Sequence, residues 1–155
     1  MRSGTLESKR VEEAVASVVD PEIPVLTIED LGILRSVEVE DGTAVVTITP
    51  TYSGCPAMRQ IEDDIRAVLD RLGVAKAEIL VTHSPPWSTD WMSEDARSKL
   101  EEFRIAPPVA SEDVLCPTCA SDSPRLVAKF GSTACKALMV CTSCGEPFDW
   151  FKEFR

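Results

Sequence analysis

Thr49-Pro50-Thr51-Tyr52-Ser53-Gly54-Cys55-Pro56 joins a strand-like run to a helix-like run, and the reading of that junction decides the fold. Before it, Ala44-Val45-Val46-Thr47-Ile48 is rich in the β-branched residues that suit a pleated surface. After it, Met58, Ile61, Ile65, Val68 and Leu72 recur at three- and four-residue steps, which predicts a helix over 56–72 with one apolar face. Pro56 fits the first turn, where a missing N–H loses no partner, and Gly73 fits the C-terminal end. Cys55 therefore falls at or next to a helix N-terminus. Two readings stand for it: a thiolate favoured by free amides and the macrodipole, or a small hydrophobe buried at a tight turn.

Working outward, a strand over 33–40 precedes the junction, with Val37 and Val39 alternating with Glu38 and Glu40, so that one face is wet. Asp41-Gly42 is a tight hairpin signal, which makes the strand over 44–49 antiparallel to the first. Upstream, Leu6, Val11, Ala14, Val15 and Val18 predict a helix over 6–19, closed by Asp20-Pro21-Glu22-Ile23-Pro24. Downstream, a third strand covers 77–82. The order is α-β-β-α-β, an α/β (α+β) domain with a small mixed sheet. The helix between the second and third strands is long enough for a right-handed crossover, so those strands run parallel.

Parallel strands place their C-terminal ends on one edge, where open α/β sheets usually bind ligands. Three irregular segments, 20–32, 51–56 and 83–91, are expected to meet there. They carry Cys55 and, as supporting polar groups, Asp20, Glu22, Asp30, His83 and Asp90. Trp87 and Trp91 flank the last of these. The plain structural alternative is that the tryptophans close the core and the single histidine satisfies a backbone carbonyl. A short helix over 94–103 follows, and the proline-containing stretch Ile105-Ala106-Pro107-Pro108 begins a linker. The expected organisation is a first domain over 1–105, a linker over 106–115 and a second domain over 116–155.

The second domain opens with Cys116-Pro117-Thr118-Cys119, and after 21 residues comes Cys141-Thr142-Ser143-Cys144-Gly145. Two Cys-x-x-Cys pairs can set four thiolates tetrahedrally around structural Zn²⁺, and about forty residues have too little core to fold dependably without such a staple. A single iron in the same sulfur cage, serving as an electron carrier, is the alternative. Cys135 is a fifth thiol in this region and lacks a paired partner.

The net charge is −10, with 11 basic and 22 acidic residues up to 115 against 5 and 4 beyond it. That balance argues against nucleic-acid backbones and anionic membranes as partners. No apolar run reaches membrane-spanning length and no basic, apolar leader opens the chain, so a cytoplasmic location is expected. No phosphate loop or dinucleotide fingerprint appears.

These residues carry a resemblance. Asp20-Pro21-Glu22, Asp30-Leu31-Gly32 and Thr49 through Pro56 resemble the iron-sulfur assembly domain family. The longer strings Asp20 through Leu26, Thr89-Asp90-Trp91-Met92-Ser93, Phe130 through Leu138 and Glu146-Pro147-Phe148 resemble the D-subunit family of phenylacetyl-CoA epoxidase systems, in which a four-cysteine ribbon follows the assembly domain. The resemblance implies a role in aerobic phenylacetate degradation, with the epoxidase oxygenase subunits or their iron-sulfur flavin reductase as partners. It also implies that the reactive cysteine falls on Cys55, the acidic motif on Asp20 and Glu22, and the ribbon ligands on Cys116, Cys119, Cys141 and Cys144. Ala120 stands where a ribbon often has glycine after its first pair.

Three functions follow as expectations. In the first, a non-catalytic maturation factor, Cys55 transiently holds iron or an iron-sulfur cluster, alone or with a group from a second copy of the chain in a homodimer. The second is a thiol enzyme with Cys55 as nucleophile and His83 as base, and the third is a purely structural docking component.

Overall fold

The computed structural model describes residues 2–52 and 54–154; Ser53 and the side chain of Leu6, on which part of the reading above falls, lie outside the described residues. The chain forms two compact units, Met1–Trp87 and Ser88–Arg155.

The first unit has the expected order. Helix α1 (Arg2–Ala16) is followed by strands β1 (Leu34–Glu40) and β2 (Thr43–Ile48), helix α2 (Ala57–Arg71) and strand β3 (Lys76–Val81). The sheet order is β1-β2-β3, with β1 antiparallel and β3 parallel to the central β2. Asp41 and Gly42 both take positive φ, 50° and 76°, the geometry of a two-residue hairpin whose twist matches its strands. Along β2, Ala44, Val46 and Ile48 are fully buried on one face. α2 buries Ala57, Met58, Ile61, Ile65 and Leu69. Leu69 replaces Val68 and Leu72 as the last fully buried position, because a four-residue step keeps it over the sheet. Each of the valine, leucine, isoleucine and methionine side chains among these contributes about 1.5–3 kcal/mol on burial.

α1 differs from the expected span over 6–19: it begins at Arg2 and ends at Ala16. The Ser17 hydroxyl donates to the Ala14 carbonyl at 2.7 Å, which closes the last turn. Val19 then leaves the helix to bridge Thr27 in antiparallel fashion. Helical periodicity continues through Val18, but that residue is buried by the loop that follows rather than as part of the helix.

The second unit starts with a single 3-10 turn at Thr89–Trp91 and helix α3 (Glu94–Glu102), capped by the Ser93 hydroxyl accepting the Ala96 amide at 3.0 Å. Strands β4 (Ile105–Ala106), β5 (Pro124–Ala128), β6 (Lys136–Cys141) and β7 (Pro147–Phe151) form a sheet of order β4-β7-β6-β5. The stretch over 106–115, expected as a linker, is built into this unit. Ile105 and Ala106 pair in parallel with Asp149 and Trp150, and Val114 is 1% exposed in a cluster with Cys116, Met139, Cys141 and Phe148. The prolines stop local periodicity, but the pairing that orders this stretch comes from residues more than forty positions away. The compact units accordingly divide between residues 87 and 88.

Candidate functional site

The loops after β2 and β3 meet the 20–32 segment at one edge of the first sheet. The Thr49 amide donates to the Ile33 carbonyl at 2.8 Å, and the Trp87 indole N–H donates to the Leu31 carbonyl at 2.8 Å. Trp87 is buried, so the indole both closes the core and fixes the loop after β3. A cavity of about 270 Å³ lies between Thr49, Tyr52, His83 and Trp87.

The acidic residues of this edge are chiefly builders of their own loops. Asp20 is buried, and its Oδ1 accepts the Glu22 and Ile23 amides at 2.7 and 2.9 Å. Asp30 and Thr27 bond reciprocally: Asp30 Oδ2 accepts the Thr27 amide and Thr27 Oγ1 accepts the Asp30 amide, each at 3.0 Å. Such side-chain bonds hold the backbone in turns that compete with helix or strand.

Cys55 is half-buried, ahead of Pro56, which caps α2. Its thiol is pushed above the ordinary thiol range, first by burial and then by the negative charges of Glu22 and Asp20; the Ala57 amide and the Tyr52 side chain pull the other way. A helix N-terminus predicted a favoured thiolate. The net direction is the reverse, because desolvation and two carboxylates outweigh the amide.

Tyr52 is the residue that sequence reasoning missed: it touches the sulfur and also lines the cavity. The signal was its place three positions before Cys55. His83 is exposed on the cavity rim. Asp90 is exposed and falls in the second unit, where the Thr89 hydroxyl donates to the Phe154 carbonyl, so the segment over 83–91 is divided between the two units. Thr49 Oγ1 is buried without a hydrogen-bond partner among the described residues.

The second unit gathers the four paired cysteines. One sulfur from each of Cys116, Cys119, Cys141 and Cys144 lies within 4.8 Å of the other three. Cys116 and Cys144 are 3.7 Å apart, Cys119 and Cys141 3.6 Å. A tetrahedron with metal–sulfur bonds of about 2.3 Å has edges of about 3.8 Å, so the residues present fit a four-coordinate metal.

The two cysteine turns repeat one backbone pattern. The Ala120 amide donates to the Cys116 carbonyl at 2.8 Å and the Gly145 amide to the Cys141 carbonyl at 2.9 Å. The Cys116 and Cys141 amides donate to Ser121 and Glu146 carbonyls, both at 2.9 Å. The turns differ in which amide reaches the first sulfur: Thr118, two residues on, reaches Cys116 at 3.4 Å, whereas Cys144, three residues on, reaches Cys141 at 3.5 Å. Gly145 and Ala120 hold equivalent positions with φ of 79° and 61°. The amides of Cys144 and then Ser143 bring Cys141 down to about 6. Cys144, although the Glu146 amide favours its thiolate, is pushed up to about 12 by burial and by the other sulfurs. Four thiolates this close need a cation among them. Cys135 stays outside the set, buried with the Thr133 hydroxyl 3.0 Å from its sulfur.

Two family models match. Residues 8–81 fit a family described as iron-sulfur cluster assembly protein, and residues 105–152 fit the PaaD zinc beta ribbon domain. A provisionally named 1,2-phenylacetyl-CoA epoxidase D-subunit from Escherichia coli (strain K12) is 44% identical, covering 97% of this chain and 98% of its own. The chain belongs to the phenylacetyl-CoA epoxidase D-subunit family. An Fe-S protein maturation auxiliary factor of Porphyromonas gingivalis is 42% identical over 54% of this chain and 81% of its own length. A crystal structure of a DUF59 domain from Bacillus anthracis superposes with a TM-score of 0.58 at 32% identity, covering 64% of this chain and 95% of that one. Membership in the D-subunit family gives the chain an accessory role, with protein partners and a metal-binding cysteine cluster. Among the described residues no helix is long and apolar enough to cross a membrane.

Proposed function

We propose that this D-subunit family chain is a maturation factor of the phenylacetyl-CoA epoxidase system in aerobic phenylacetate degradation, acting in the cytoplasm. Cys55 takes up iron or an iron-sulfur cluster as cargo and passes it to the oxygenase's di-iron centre or the reductase's cluster. One observation carries the reading: Cys55 is a lone, half-exposed thiol with Asp20 and Glu22 close enough to act on it, in the part of the chain that matches the iron-sulfur assembly family. Burial and the two carboxylates keep the sulfur protonated until a cation replaces the proton. Few ligands at an exposed edge favour release over storage. Zinc is the proposed occupant of the four-cysteine site, where a closed sulfur set holds a fold together and does no chemistry.

Epoxidase made in cells carrying Cys55→Ser tests the proposal: activity and metal content are expected to fall at least tenfold, with the protein still folded and zinc-loaded. Full activation by that variant overturns it.

A further inference from the structure

The iron-sulfur assembly match ends at residue 81, and the maturation relatives cover 54–56% of this chain. The rest of the chain lies outside those matches. There, wholly within the second unit, lies a groove of about 310 Å³. Its floor and walls are apolar: Ala106 and Cys116 are buried, Pro107 and Val109 are half-buried, and Leu115 stands 52% exposed at its lip. Its charged lining residues are Glu101 and Asp113, both exposed and both acidic, with no lysine or arginine among the described lining residues. Glu101 also lies in the last turn of α3, where the helix dipole already makes the surroundings negative.

A competing surface is the outer strand β5, with Leu126 and Val127 nearly half exposed. It begins at Pro124, shifts register between Leu126 and Ala128, and carries Arg125 with Lys129 just after it. These are the devices by which proteins blunt a free edge. The charged residues lining the groove are acidic instead.

We infer that the groove over β4 and the first cysteine turn docks a protein segment that inserts an apolar side chain flanked by lysine or arginine, and that this contact selects the recipient. The inference rests on the maturation reading for the identity of that recipient. The apolar walls desolvate the inserted side chain, while Glu101 and Asp113 meet its basic neighbours and speed encounter in a salt-dependent way. A carboxylate rim around an apolar floor disfavours acidic segments on the same terms.

The test is binding of the full chain to the purified epoxidase complex, oxygenase subunits with reductase, by biolayer interferometry at low and high salt. Leu115→Asp is expected to weaken binding at least tenfold. Glu101→Lys with Asp113→Lys is expected to weaken it similarly at low salt and to flatten the salt dependence. All three positions are exposed, so the variants keep their fold. Leu126→Asp on β5 is expected to bind as wild type does. Groove variants that bind normally, a wild type that does not bind, or equal loss from Leu126→Asp each overturn the docking inference. Failure of the maturation reading shows elsewhere: Cys55→Ser then activates the epoxidase normally whatever the groove variants do.

Discussion

Four sulfurs in the second unit stand within 4.8 Å of one another, whereas Cys55 in the first has a tyrosine, one amide and two carboxylates acting on its sulfur. Thiols of both kinds suit soft metals, yet their surroundings impose opposite behaviour. In the ribbon, backbone amides are directed at the sulfurs and the turn carbonyls are already bonded, so the folded turns hold all four ligands in place. At the sheet edge, the geometry is spent on holding loops, through Asp20, Asp30 and Trp87, and a single thiol is left half exposed. A closed set binds and folds; an open one exchanges. On the proposed reading, the two domains divide retention from transfer.

Metal removal should separate the two most sharply. Chelation, or Cys119→Ser, is expected to melt β5 to β7 at a cost on the order of 10 kcal/mol, seen as lost amide protection beyond residue 115 while β1 to β3 stay protected. Strands that remain protected without metal break the comparison from the ribbon side.

Cys55→Ser should do the reverse. Epoxidase activation falls at least tenfold, while the unfolding midpoint moves by no more than about 0.5 kcal/mol, since a half-exposed sulfur is exchanged for oxygen. A large loss of stability in that variant makes Cys55 a packing residue and removes the contrast.

Trp87→Phe sharpens the account of how the edge is held. It leaves the Leu31 carbonyl without its 2.8 Å partner and is expected to cost about 1–3 kcal/mol in denaturant unfolding, with extra exchange confined to the loops around Cys55.

The titration of Cys55 gives a subtler test. A thiol raised above 9.0 should alkylate slowly at pH 7, with a rate that climbs about tenfold per pH unit and is still climbing at pH 9. The linked sign follows: a folded pKa above the unfolded one means that this group's contribution to stability is intact below pH 9 and is lost as pH rises through the folded value. Rapid alkylation at pH 7 contradicts the burial argument. The smallest effect belongs to Ala120→Gly. A β-carbon at φ 61° is strained, and relieving it should stabilise the metal-loaded ribbon by about 0.5–1 kcal/mol in thermal unfolding.

Much of this was legible in local pattern. The β-branched run before Thr49, the four-residue spacing after Pro56 and the Asp41-Gly42 turn specified three elements and their connection. Crossover geometry then specified the parallel pair. The spacing of Cys116, Cys119, Cys141 and Cys144 identified the sulfur cluster, because two short turns can present four ligands with little help from the rest of the chain. Less legible were features that depend on distant partners. Ile105 and Ala106 read as linker because their strand partner, β7, begins at Pro147. The loop over 83–91 read as one segment because nothing local says that Trp87 bonds Leu31 while Thr89 bonds Phe154.

By itself, the sequence determined the α-β-β-α-β order, the identity of the four ribbon sulfurs and the candidacy of Cys55, since periodicity, turn chemistry and ligand spacing are short-range properties. Tertiary structure decided whether that cysteine behaves as a thiol or a thiolate, where the compact units divide, and that the first cysteine turn borders an acid-rimmed apolar groove. Each of those depends on which distant groups are packed together. Desolvation, charge proximity and strand pairing are set by distances in space that spacing along the chain does not encode.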